Sequence, residues 1–258
     1  MLTFGSLFAG IGGFDLGLER AGLTCKWQVE IDPYCRKVLE KHWPEAARHD
    51  DITTFSPGPQ HYVDLIAAGF PCQDISIGGR GAGIHGSRSR LFFEAIRVVR
   101  QVGPRFVLLE NVAALLNRGL DTVLGELAAI GLDAEWHCIP AAALGAPHIR
   151  DRVFILAYPA DDRWPGPICC NAPNVANPMW TAVQSSSALD PRLSLFEAFE
   201  QRVGQPAVFG VDDGLPNRVD RLAGPGNAIV PQIAEWIGRR LIEATLRSGT
   251  RNPRVSLI

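Results

Sequence analysis

Cys72 stands in the run Gly69-Phe70-Pro71-Cys72-Gln73, directly after Asp64-Leu65-Ile66-Ala67-Ala68, a short run that is apolar from Leu65 on. That run reads as a buried strand. A cysteine at its exit, next to a proline and ahead of a glycine-rich loop, is placed for nucleophilic attack. A lone cysteine is more often an inert core residue, so the assignment depends on what else the chain supplies. Residues 105–112 (RFVLLENV) form a second apolar run, ending in Glu110 and Asn111. If that strand lies beside the cysteine strand, its carboxylate faces the same crevice, outside the carboxyl ends of the sheet. Arg150 and Arg152 alternate along an extended segment and so share one side of it. A solvated strand edge is the plain alternative for the two arginines.

A cofactor would need its own cradle, and the N-terminus supplies the pattern. Residues 2–8 read as a strand, Phe8-Ala9-Gly10-Ile11-Gly12-Gly13 as a turn, and residues 14–21 as a helix with apolar positions Phe14, Leu16 and Leu18. Strand, glycine turn and helix N-terminus bring backbone N–H groups to a polar or anionic ligand. The spacing is G-x-G-G, not the G-x-G-x-x-G of nicotinamide enzymes. The next strand, residues 25–31, ends at Glu30 and Ile31. An acid at that strand tip commonly accepts hydrogen bonds from ribose hydroxyls. Residues 49–52 read as a short third strand, from which Asp51 could reach an adenine amino group.

Other elements must position these groups. Asp32-Pro33 opens a helix running to about His42, with proline at its first position. Residues 76–90 carry five glycines and the basic Arg80, Arg88 and Arg90, with no acid between Asp74 and Glu94. Such a segment is expected to be a mobile lid that favours a polyanion. Residues 91–101 and 120–130 read as helices, and residues 134–140 and 152–158 as paired strands. Residues 224–246 close the chain with a turn and a helix bearing Ile229, Ile233, Trp236, Ile237 and Leu241.

Composition sets the outer bounds. The chain has 258 residues, 47% hydrophobic and 20% charged, with a net charge of -2. That describes a folded protein without an apolar run of membrane-spanning length. The first residues lack the layout of a signal peptide. Six cysteines show no zinc-type spacing, so neither metal nor disulfide framework is expected, and a cytoplasmic setting with free thiols is the simplest reading. Only Lys26, Lys37 and Lys41 among the 25 basic residues are lysines. Arginine suits bidentate contacts to phosphates and base edges, and coding bias explains the excess equally well.

In this order along the chain, FAGIGG, Glu30, Asp51-Ile52, GFPCQ, SRSRLFF, ENV, the arginine pair and GNAIVP resemble the DNA cytosine-5 methyltransferases of compact bacterial or phage type. The resemblance covers roughly residues 1–158 and 217–246. It implies a Rossmann-like α/β sheet with a small irregular target-recognition region, and S-adenosylmethionine as cofactor. Phe8, Ala9, Gly10, Ile11, Gly12, Gly13, Glu30, Ile31, Asp51, Ile52, Phe70, Pro71 and Leu91 would surround that cofactor, completed by Asn227 and Ala228. Cys72 would add to C6 of a flipped cytosine. Glu110 would act at N3 and the 4-amino group, and Arg152, paired with Arg150, at O2. Pro71 and Asn111 would hold the nucleophile loop, while Gln73, Ser76, Arg80, Arg88 and Arg218 would meet duplex DNA.

The implied layout is a catalytic and cofactor-binding domain at 1–158, target recognition at 159–216, a returning segment at 217–247 and a tail at 248–258. A monomer is expected, and a companion restriction endonuclease would fit. His148 stands where the family's arginine motif begins with glutamine. The 159–216 region is short and more acidic than basic, so the target sequence is not legible. An RNA cytosine-5 methyltransferase and a catalytically weak DNA-binding relative stay open beside the main reading. The glycine spacing disfavours a nicotinamide oxidoreductase.

Overall fold

The structure, a computed structural model, describes residues 1–71, 90–141, 151–159 and 229–248. Its frame is a sheet of seven strands in the order β3-β2-β1-β4-β5-β7-β6. Strands β1 (Thr3–Leu7), β2 (Thr24–Val29), β3 (Ala47–His49), β4 (Leu65–Gly69) and β5 (Phe106–Val112) are parallel. β7 (Asp151–Pro159) enters antiparallel to β5, and β6 (Leu132–Pro140) pairs antiparallel with it at the edge.

The central strands are apolar at successive positions because both faces are covered. Leu65 and Ala67 of β4 join Phe106, Leu108, Phe154 and Leu156 on one face, under α1 (Gly13–Ala21) and α5 (Pro231–Ser248). Ile66 and Ala68 join Val107, Leu109, Val153 and Ile155 on the other, under α3 (Arg90–Val102) and α4 (Leu120–Ala129). The remaining helix, α2 (Pro33–His42), connects β2 to β3. The winding reverses between β1 and β4, and this opens a crevice at their carboxyl ends, where such folds bind ligands.

Three details differ from the sequence expectation. The last helix begins at Pro231, where proline suits a first helical position, so Ile229 stands before it and not on it. Leu16 is not on the inner face of α1: it is 36% exposed, whereas Asp15 and Gly17 are buried. The cause is α5, whose first turn lies so close that a Cβ on Gly17 would collide with the Pro231 carbonyl and the Ala234 methyl. The third strand stops at His49, so Asp51 and Ile52 lie in the turn after it, closed by Phe55 N–H donating to the Asp51 carbonyl at 2.9 Å. No helix among the described residues is long and apolar enough to cross a membrane.

Candidate active site

On the β1–β2–β3 side of the crevice, the main chain builds the site. After Leu7 the backbone turns through left-handed conformations at Phe8 (φ 54°), Gly10 (φ 56°) and Gly12 (φ 87°). For Phe8 that region is strained, as is common at binding turns. Among the described residues a Cβ at Gly10 would meet nothing within 4 Å, so the turn is open to them on that side. Glu30, just past β2, fastens the turn: its Oε2 accepts from the Gly10 N–H at 2.7 Å and its Oε1 from the Asp32 N–H at 2.8 Å. Asp32 in turn caps α2, accepting from the N–H groups of Tyr34 and Cys35.

Arg36 donates to the carbonyls of Glu30 and Ile31 at 3.1 and 2.8 Å, and Ile31 itself is 69% exposed beside them. The Glu30 N–H donates to the His49 carbonyl, which sets the β3 turn next to the β2 tip. In that turn the Asp51 carboxyl lies below its ordinary range, because its Oδ1 accepts the Thr53 N–H and hydroxyl, both at 2.8 Å. Phe8, Ile52, Phe70 and Leu91 share one apolar cluster beneath this half of the crevice.

Side chains build the other half. Gly69 and Glu110 are register partners at the ends of β4 and β5. The Asn111 side-chain amide donates to the Phe70 carbonyl at 3.1 Å, one residue before Pro71. Glu110 stands opposite Phe154 on β7, and Val112 stands opposite Arg152. Glu110 and Arg152 are therefore diagonal neighbours on one face of the sheet. They form an ion pair, Nε to Oε1, at 3.0 Å, with the Glu110 side chain 9% exposed and that of Arg152 24%. Gly69 leaves room for the carboxylate, since a Cβ there would sit 3.4 Å from Glu110 Oε2 and 3.1 Å from Ile229 Cδ1. Ile229 also presses its backbone against Gly13, which brings the C-terminal segment to the glycine turn.

The structure thus brings together Phe8, Ala9, Gly10, Ile11, Gly12, Gly13, Glu30, Ile31, Asp51 and Ile52 on one side, with Phe70 and Leu91 packed beneath, and Pro71, Glu110 and Arg152 on the other. Cys72, Gln73, Ser76, Arg80, Arg88, Arg150, Arg218, Asn227 and Ala228 lie outside the described residues. So do the expected lid and target-recognition region.

Sequence reasoning missed one buried group. Asp15, wholly enclosed under the glycine turn, accepts from Ser6 Oγ at 3.1 Å, Gln28 Nε2 at 2.8 Å and the Cys25 thiol at 3.6 Å. Burial pushes its carboxyl up to about 6 against the opposing hydrogen bonds. Burial and the nearby Asp15 charge raise the Cys25 thiol, which makes it a poor nucleophile. The available signal was the position of Asp15 between Phe14 and Leu18, on the side of the helix that faces the sheet.

A reversing parallel sheet with one antiparallel strand inserted near its edge, and a glycine turn at the reversal, is the Rossmann-like fold of S-adenosylmethionine-dependent methyltransferases. The family described as C-5 cytosine-specific DNA methylase matches residues 2–201, and this chain belongs to it. Among its relatives, the Type II methyltransferase M.DsaV of Dactylococcopsis salina is 37% identical over 161 residues, 61% of this chain and 46% of that protein. M2.BsuMI of Bacillus subtilis is 41% identical over 168 residues, 61% of this chain and 42% of that one.

M.NgoBI of Neisseria gonorrhoeae is 32% identical over 205 residues, with coverage of 76% and 62%. The chain spans about half the length of the first two relatives. A solved structure of a prophage-encoded DNA modification methyltransferase from E. coli superposes with a TM-score of 0.51 at 26% identity, covering 62% of this chain and 47% of that one. Dnmt2 of S. pombe, at 22% identity and a TM-score of 0.53 over 62% and 51% of the two chains, shares the fold.

Proposed function

We propose that this protein transfers a methyl group from S-adenosylmethionine to C5 of cytosine in duplex DNA. The observation that carries the reading is the Glu110–Arg152 pair. A carboxylate and a guanidinium converge at 3.0 Å at the ends of adjacent strands, at the register position of Gly69 and so three residues from Cys72. The cofactor fits the residues present. Gly10 leaves an open approach, the Glu30 carboxylate suits ribose hydroxyls, exposed Ile31 offers a flat apolar surface, and Asp51 suits an exocyclic amine. When bound, the cofactor supplies an electrophilic methyl group on a sulfonium.

The protein's own groups make cytosine able to accept it. C5 is a weak nucleophile in the aromatic ring. The Cys72 thiolate adds its electron pair to C6, a C–S bond forms, and the C5–C6 double bond is lost, so electron density moves toward N3 and C5 becomes enamine-like. Glu110 holds a proton or hydrogen bond at N3 and the 4-amino group as that density builds. Arg152, turning from Glu110 to the O2 carbonyl, holds the ring and offsets the developing charge. Once C5 carries the methyl group, a base or water removes its remaining proton, the C5–C6 bond re-forms and the thiolate departs. The base must leave the helix stack to reach this depth, hence flipping. Family membership and the Type II methyltransferases among the relatives support DNA as the substrate and a restriction-linked role.

The test is to incubate mixed-sequence DNA with the protein and S-adenosylmethionine, then map 5-methylcytosine by bisulfite sequencing. Methylation at a defined or relaxed set of cytosines is expected. Methylated transfer RNA with untouched DNA would replace the substrate class, and no methylation of either would overturn the reading.

A further inference from the structure

We propose that Arg97 is a positioning residue for the adenine end of the cofactor, holding the turn that carries Asp51. The proposal rests on the cofactor reading above. Arg97 lies midway along α3, outside the crevice, yet its guanidinium reaches across to the Ile52 carbonyl, with Nη2 donating at 2.6 Å. The other two arms are already held on its own helix: Nε donates to Glu94 Oε2 at 2.7 Å and Nη1 to Gln101 Oε1 at 3.0 Å. A guanidinium held on both flanks presents its third arm in one direction with little freedom left to lose.

An ordinary helical ion pair with Glu94 would explain that contact and not the one to the Ile52 carbonyl. Partly exposed i,i+3 pairs stabilise little by themselves. The carbonyl it grips belongs to the peptide between Ile52 and Thr53, inside the turn that orients Asp51. Rotation of that peptide would move Thr53, whose N–H and hydroxyl both hold Asp51 Oδ1. Among the described residues Oδ2 of Asp51 accepts no hydrogen bond, so this oxygen remains to receive an amino group. Below the turn, buried Ile52 and Phe55 pack in the same apolar cluster as Phe92 and Ile96 of α3. Arg97 therefore supplies the directional contact on an otherwise non-directional packing surface.

The experiment uses the whole chain and two ligands, S-adenosylhomocysteine and its purine-riboside counterpart, in which hydrogen replaces the 6-amino group. Calorimetry on the parent protein should show a preference for the adenine ligand. Arg97→Met keeps the stem and loses the donors. It should weaken S-adenosylhomocysteine roughly tenfold, as expected for one charge-assisted hydrogen bond, and leave the purine-riboside ligand within about twofold. The Michaelis constant for S-adenosylmethionine should rise in parallel, with kcat at saturation little changed, and Arg97→Lys should recover part of the loss.

Equal weakening of both ligands, or of neither, in a variant with parental circular dichroism would overturn the proposal. If Arg97→Met does not fold, Arg97→Lys carries the same ligand comparison. Failure of the parent protein to bind S-adenosylhomocysteine would overturn the cofactor reading itself, and this proposal with it.

Discussion

The two halves of the crevice are held in different ways. On the β1–β2–β3 side, backbone N–H groups and carbonyls do most of the fastening: Glu30 is tied to Gly10 and Asp32, and the carbonyls of Glu30, Ile31 and Ile52 are gripped by arginines. On the β4–β5–β7 side the fastening contact is a side-chain ion pair between strands distant in sequence. The contrast matches the tasks assigned to the halves. In the reaction proposed above a cofactor needs a fixed cradle, whereas Arg152 and Glu110 would exchange each other for a cytosine ring, and an ion pair can separate without unfolding a turn.

The sharpest break between the halves should come from Cys72→Ser. Methyl transfer should fall below detection while calorimetric binding of S-adenosylhomocysteine stays within about twofold, because serine is not activated as a nucleophile here. Turnover in that variant would remove the covalent route. Glu110→Gln comes next. It should lower kcat by roughly two to four orders of magnitude, the usual weight of a general acid, with cofactor affinity kept. A loss confined to cofactor binding would show that the two halves are not separate.

Glu30→Gln acts on the cradle. One oxygen is replaced by a donor facing the Gly10 or Asp32 N–H, so a charge-assisted bond is lost and repulsion is added. Cofactor affinity should fall by about tenfold or more at unchanged kcat, read from initial rates at saturating DNA.

The smallest effect belongs beneath the cradle, at Asp15. Its folded-state carboxyl titrates at about 6 against an ordinary value of 3.8. Below both values the two states bind the proton alike. As pH rises between them the unfolded chain releases it first, so stability is lost, up to about 3 kcal/mol, and stays lost above that window. Gln28 Oε1, buried without a hydrogen-bond partner among the described residues, is matched to this: with the amide turned over it would accept from protonated Asp15. Asp15→Asn should flatten the fall in urea-measured stability between pH 5 and pH 8 by on the order of 1 kcal/mol. An unaltered slope would place the titrating group elsewhere.

Most of the cradle could be read from the sequence because it is local. The glycine turn, Glu30 and the Asp32 cap lie within a single strand–helix–strand–helix unit, where residue type and spacing decide backbone geometry over a few positions. Two readings failed where a distant segment intervened. Leu16 looked like core by helical spacing, but α5 takes the stripe along Gly17 instead. Asp51 was expected on a strand that in fact ends at His49, since its turn is drawn onto α3 through Ile52 and Phe55.

By itself, then, the sequence determined the chemical inventory: a cysteine after a buried strand, a carboxylate at the end of another, a glycine turn with an acid at the next strand tip, and the order of these along the chain. Local propensity and short-range spacing suffice for that. Only the tertiary structure decided which groups meet. The insertion of β7 antiparallel to β5 sets Arg152 diagonal to Glu110, and α3 brings Arg97 to the Ile52 carbonyl. Ser6 and Gln28 are brought opposite one another under Asp15 by the register of β1 with β2. Such pairings depend on strand order, register and helix packing, which no window along the chain contains.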